Sequence, residues 1–188
     1  MKALLLSAGY GKRLRPLTIN TPKCLIKIND VSLLEIWIRK LNKIGVDEFI
    51  VNTHYLHDQV ADFVKNSQFK NSIQIIYEKK LLGTAGTLLH NLDLFLNDEC
   101  LLVHVDNYCE DSLLKFLKAH RNRPKQCLLT MLTFLTDKPK HSGIVELNKD
   151  NILFNFFEKI SNPPSNLANA AVYILSKEFL KLLKNENL

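Results

Sequence analysis

The 188 residues include 46% hydrophobic and 23% charged side chains, which argues against disorder and suits one domain with a substantial core. The 25 Lys and Arg against 19 Asp and Glu leave a net charge of +6 that is spread along the chain and not blocked, favouring a basic pocket for phosphorylated small molecules over nucleic acid. Four cysteines (Cys24, Cys100, Cys109, Cys127) show no Cys-x-x-Cys spacing, and no apolar run has signal-peptide or membrane-span character; a reduced, cytoplasmic protein with no membrane partner is expected.

Residues 2–7 predict a short buried strand. Ser32-Leu33-Leu34-Glu35 is a capping box, and Ile36, Trp37, Leu41 and Ile44 follow at helical spacing, with Gly45 as the expected stop. A strand over 48–53 precedes a helix marked by Val60, Phe63 and Val64. A strand over 73–77 precedes one marked by Leu88, Leu89, Leu92 and Phe95. A strand over 100–105 precedes one marked by Leu113, Leu114 and Leu117, and another strand is expected over 127–134. Segments 143–147 and 152–157 pair around the turn composition Asn148-Lys149-Asp150-Asn151. An apolar strand near 170–175 and an amphipathic helix from Ser176 follow. Repeated βα units predict an α/β fold, a mostly parallel sheet covered on both faces in a three-layer α/β/α sandwich, with ligands at the strands' carboxyl ends.

The first strand runs into Ser7-Ala8-Gly9-Tyr10-Gly11-Lys12-Arg13. The dinucleotide fingerprint fails, because its third glycine would fall at Leu14. A Walker A loop fails too, because no Ser or Thr follows Lys12. What is left is a glycine-rich turn that presents backbone N–H groups to an oxyanion, with Arg13 and Lys23 as charge partners, or else a plain turn on a basic surface.

Ser7-Ala8-Gly9-Tyr10-Gly11-Lys12-Arg13-Leu14-Arg15-Pro16-Leu17-Thr18, then Thr21-Pro22-Lys23, resembles the signature of the sugar-1-phosphate nucleotidyltransferases, with their Rossmann-like nucleotide-diphospho-sugar transferase fold. Glu78 with Leu82-Gly83-Thr84-Ala85-Gly86 matches in order, as does Leu101-Leu102-Val103-His104-Val105-Asp106. So do Gly143-Ile144-Val145-Glu146, Phe157-Glu158-Lys159 and Asn169-Ala170-Ala171-Val172-Tyr173. The LGTAG stretch is most similar to guanylyltransferases acting on mannose- or heptose-type phosphates, with thymidylyl- and uridylyltransferases close behind, since backbone contacts to a base leave little trace in sequence.

The resemblance implies a single domain over 1–188, with a nucleotide-binding half over 1–110 and a sugar-phosphate-binding half over 111–188. It implies Mg²⁺-dependent attack of a sugar 1-phosphate on a nucleoside triphosphate, GTP first, to make a nucleotide sugar for polysaccharide. Ala8, Gly9, Gly11 and Arg13 would hold the triphosphate, Arg13 on the departing pyrophosphate, and Lys23 the α-phosphate. Asp106 would bind the metal, while Glu78 and Gly83 lie at the base. Thr84 serves either the base or the cap of the next helix. Gly143, Glu158, Lys159 and Asn169 would line the sugar-phosphate pocket. Two departures stand out: Val105 where the family often has Gly, and Ala171 where Asn-Ala-Gly is usual. The resemblance also implies a later Asp-x-Gly-Thr-Pro motif with a second metal-binding Asp, which these 188 residues do not contain.

Two rivals stay open. One is a cytidylyltransferase for phosphocholine or a similar phosphate, suggested by Asp106-Asn107-Tyr108; the other is a nucleotide-binding module without turnover. His54-x-x-His57 is read as loop histidines, His104 as core or near-site, and Trp37 as core. Homo-oligomerisation is left open.

Overall fold

The computed structural model describes residues 1–186. In chain order it begins with β1 (Lys2–Leu6), a small hairpin of β2 (Lys27–Ile28) and β3 (Val31–Ser32), and α1 (Leu33–Asn42). The side chain of Ser32 caps α1, accepting from the Glu35 N–H at 3.2 Å. The helix ends three residues before Gly45. Gly45 takes φ +85°, donates to Asn42 at 3.1 Å, and closes the turn that follows.

Next come β4 (Glu48–Thr53), α2 (His57–Lys65), β5 (Ile73–Tyr77) and α3 (Gly83–His90). α3 is shorter than its apolar spacing predicts. The Asn91 side chain takes the Thr87 carbonyl at 2.8 Å, and Leu92 and Phe95 reach the core from a 3₁₀ turn and the residue after it. The chain continues through β6 (Cys100–His104), α4 (Leu114–Arg121), β7 (Leu129–Leu135), β8 (Gly143–Leu147), β9 (Leu153–Glu158), β10 (Leu167–Leu175) and α5 (Lys177–Asn185).

The main sheet has the order β5-β4-β1-β6-β10-β8-β9, with β7 also paired to β10. β5, β4, β1 and β6 are parallel, as the βα alternation predicts. From β10 onward the pairings are antiparallel, and β8 and β9 form a hairpin.

Alternate residues of each central strand face opposite ways and so feed two cores. Ala3, Leu5, Phe49, Val51, Leu101 and Val103 meet α1, α2 and α4 on one face. Leu4, Ile50, Cys100 and Leu102 meet α3 and α5 on the other. Two apolar cores separated by one sheet give the three-layer α/β sandwich. From β1 the chain moves outward through β4 to β5, then crosses back to β6 on the other side of β1. The carboxyl ends of β1 and β6 therefore flank a topological switch point, where diverging loops leave a crevice. Among the described residues, no helix is long and apolar enough to cross a membrane.

Candidate active site

A cleft of about 250 Å³ opens at that switch point. Leu6, Ser7, Ala8 and Gly9 enter it from the end of β1, and Asn52 from β4. Glu78 follows β5, Gly83, Thr84 and Thr87 belong to α3, and His104 and Asp106 come from the end of β6. Lys23 and Cys24 close the remaining side.

The turn after β1 is shaped by its glycines. Gly11 has φ +63°, and a Cβ there would lie 2.8 Å from the Thr18 methyl, so both conformation and space require glycine. Thr18 is buried and donates to the Gly11 carbonyl at 2.8 Å, pinning the turn. Gly9 faces open space. Arg13 stands exposed on the 3₁₀ turn Lys12–Leu14, and neither it nor Gly11 lines the cleft.

Val105 is buried and bonded to Leu6, which leaves Asp106 on the turn just beyond β6. Its Oδ2 pairs with the Lys23 ammonium. Cation and carboxylate thus meet at the rim although 82 residues lie between them in the chain. His104 bonds through Nε2 to the Thr84 hydroxyl at 3.1 Å. Burial holds His104 below the ordinary histidine value, with the nearby Lys23 ammonium adding to the shift and Asp106 opposing it, which favours the neutral ring. Thr84 does not cap α3: it is the helix's second residue and its hydroxyl bonds to His104, while Leu82 at the cap position has no side-chain acceptor to offer. Cys24 is no nucleophile, since burial pushes its thiol up to about 12.

Glu78 is 3% exposed and has no cation partner among the described residues. Donors satisfy it instead: Asn52 Nδ2 at 2.9 Å and the Thr87 hydroxyl on Oε1, and the Leu82 N–H at 3.2 Å on Oε2. Its carboxylate therefore fixes the start of α3. Asn52 also accepts the Ser7 N–H at 2.7 Å and so joins the two loops. Neither Asn52 nor Thr87 is singled out by the sequence. An Asn at the end of a strand opposite a glycine-rich turn is the signal that could have found Asn52.

The second group of sequence-predicted residues lies outside the cleft. Gly143 pairs with Glu158 across β8 and β9, where a Cβ would meet the Phe156 ring at 2.7 Å and Glu158 Oε2 at 3.0 Å. Glu158 and Lys159 are exposed and paired to each other at 2.9 Å. Asn169 donates to the Tyr173 hydroxyl at 2.6 Å and accepts from the Ala171 N–H at 2.8 Å. That bond holds Ala171 at φ +53°, at the register shift in β10, so the alanine keeps the left-handed backbone that glycine adopts more readily.

The sheet order and switch-point cleft define an α/β protein of the nucleotide-diphospho-sugar transferase fold. UDP-glucose pyrophosphorylase complexed with UDP-glucose superposes with a TM-score of 0.80 at 20% identity, covering 97% of this chain and 78% of that one. HddC from Yersinia pseudotuberculosis, complexed with GMP-PN, gives 0.76 at 24% identity, covering 94% and 77%. The chain belongs to the nucleotidyl transferase family, whose model matches residues 2–188. It is 31% identical over 187 residues to the mannose-1-phosphate guanylyltransferase catalytic subunit beta of Drosophila pseudoobscura pseudoobscura, covering 97% of this chain and 50% of that protein. It is 32% identical over 184 residues to the bifunctional protein GlmU of Methanocaldococcus jannaschii, covering 98% and 42%. The chain spans about half the length of the curated relatives it matches.

Proposed function

We propose that this chain transfers a nucleotidyl group from a nucleoside triphosphate, GTP first, to a sugar 1-phosphate, releasing pyrophosphate and supplying a nucleotide sugar for polysaccharide synthesis in the cytoplasm. The observation that carries this reading is the meeting of Lys23 and Asp106 at the rim of a switch-point cleft beside the Gly9 turn. Residues 1–110 form the nucleotide half and 111–188 the sugar-phosphate half.

In the reaction an oxygen of the sugar phosphate bonds to the α-phosphorus as the bond to pyrophosphate breaks. The protein's work is positioning and charge neutralisation. Backbone N–H groups of the turn at Ala8, Gly9 and Gly11 cradle the phosphates, and Lys23 neutralises the α-phosphate. Arg13 suits the departing pyrophosphate because its planar fork makes paired bonds to phosphate oxygens. Gly83 and Thr84 border the base.

Guanine offers an N–H and an amino group side by side. Among the described residues Glu78 Oε2 accepts only the Leu82 N–H, which leaves acceptor capacity for such a base. Gly143, Glu158, Lys159 and Asn169 serve the sugar phosphate, Lys159 meeting its phosphate and Glu158 its hydroxyls.

Asp106 would hold Mg²⁺. A single hard carboxylate suits an ion that takes its other ligands from water and substrate phosphates, and among the described residues no cluster of three His, Cys, Asp or Glu offers an alternative. When bound, the ion supplies further neutralisation of phosphate charge.

Pyrophosphate release tests the reading, with GTP, UTP, dTTP and CTP offered against mannose 1-phosphate, glucose 1-phosphate and phosphocholine, with and without Mg²⁺. Fastest turnover is expected for GTP with mannose 1-phosphate, and none after chelation. Preference for CTP with phosphocholine overturns the sugar assignment.

A further inference from the structure

The end of β4 borders the cleft at Asn52. Residues two apart along an extended chain point the same way, and here Asn52 and His54 each bridge the glycine-rich turn to Glu78. Asn52 joins the Ser7 N–H to the Glu78 carboxylate. His54 joins the Tyr10 hydroxyl, 3.0 Å from Nε2, to the Glu78 carbonyl, 2.7 Å from Nδ1. A carbonyl only accepts, so Nδ1 carries the proton, and in the neutral ring Nε2 is left to accept from Tyr10. The Tyr10 ring meets His54 edge-on with centroids 5.5 Å apart, and the Tyr55 ring packs against it at 5.4 Å. Tyr10 lies between Gly9 and Gly11, so its hydrogen bond fixes the turn that borders the cleft at Gly9.

We propose that His54 is a positioning residue that, through Tyr10, holds the turn at residues 9–11 in its phosphate-binding form. The proposal rests on the nucleotidyl-transfer reading above. A turn free to rock would have to be ordered by the nucleotide at a cost in affinity, and the bond to His54 meets that cost beforehand.

The test is titration of the full chain and its variants with GTP and with guanosine, alongside thermal unfolding. Tyr10→Phe removes one oxygen and keeps the ring packing. It is expected to weaken GTP about five-fold, the worth of a single net hydrogen bond, with guanosine binding and the unfolding temperature unchanged. His54→Ala should weaken GTP similarly, and the double variant no more than the single ones, since both remove the same bond. Imidazole ¹⁵N resonances should show His54 protonated at Nδ1, with the Nε2 signal moving in Tyr10→Phe. If the wild-type chain binds GTP and the variants bind it equally, or the losses simply add, the latch is overturned. If the wild type binds neither GTP nor UTP, dTTP or CTP, the underlying reading falls, and the latch with it.

Discussion

The indole N–H of Trp37, a residue 2% exposed in the core, donates over 2.8 Å to the backbone carbonyl of Asn107, the residue after Asp106. Asn107 in turn donates through Nδ2 to the Ala170 carbonyl at 2.7 Å. The turn carrying the rim carboxylate is thus fastened to α1 on one side and to β10 on the other.

Removing the first fastening tests its worth. Trp37→Phe keeps an aromatic ring but leaves the Asn107 carbonyl unpaired and the pocket underfilled. It should destabilise the fold by about 1–3 kcal/mol, measured by urea unfolding. Trp37 is the sole tryptophan in the sequence and bonds the turn that carries Asp106, so its emission should shift when GTP enters the cleft and stay fixed when buffer alone is added.

Asp106→Asn keeps the shape of the rim and removes its charge. Turnover is expected to fall by about 100-fold or more, the usual cost of losing an electrostatic group aimed at the reacting centre. The unfolding temperature should barely move, because the Lys23–Asp106 pair is partly exposed. Lys23→Ala should lower turnover in the same way, and activity near that of the wild type in either variant would remove that residue from the chemistry.

The two glycines of the opening turn should separate stability from binding. Gly11→Ala combines a left-handed φ with a 2.8 Å approach to Thr18, and is expected to cost about 1–3 kcal/mol in denaturant melts. Gly9→Ala meets nothing within 4 Å and should leave stability unchanged while weakening GTP binding.

Acid should loosen the fold through two histidines. Burial lowers His104, with Lys23 assisting and Asp106 opposing. Burial also lowers His120, with Arg123 assisting and Glu99 opposing. His120 is further held between Thr130 at 2.8 Å and Glu99 at 3.1 Å. Below about 6.5 the unfolded chain takes up protons that the folded rings resist, so stability falls as pH drops through that value. Urea midpoints measured downward from pH 7.5 should show the decline, and His104→Gln should remove part of it.

Much of this was legible locally. Alternating apolar strands and helical spacings betray the parallel half, since each βα unit carries its own pattern. The Ser7–Arg13 stretch betrays the loop at the end of β1. The role of Asn52 was hidden, because an Asn in a strand gains meaning only when register sets it beside Leu6. Glu78 was legible as a nearby carboxylate, whereas its duty of anchoring Leu82, Thr87 and Asn52 depends on a fold that brings those donors together. α3 stops at His90 although Leu92 and Phe95 keep helical spacing, because the Asn91 side chain takes the Thr87 carbonyl and a 3₁₀ turn follows.

β10 has a consequence for how the molecule assembles. It pairs with β6, β7 and β8, each earlier in the chain, and among the described residues no other ladder joins the parallel half to the antiparallel one. Until β10 docks, β6 has an open edge and the β8–β9 hairpin has nothing to lean on. Such distant pairings are slow to close. Refolding should therefore show the parallel half protecting its amides first, with β7 waiting for a single late event.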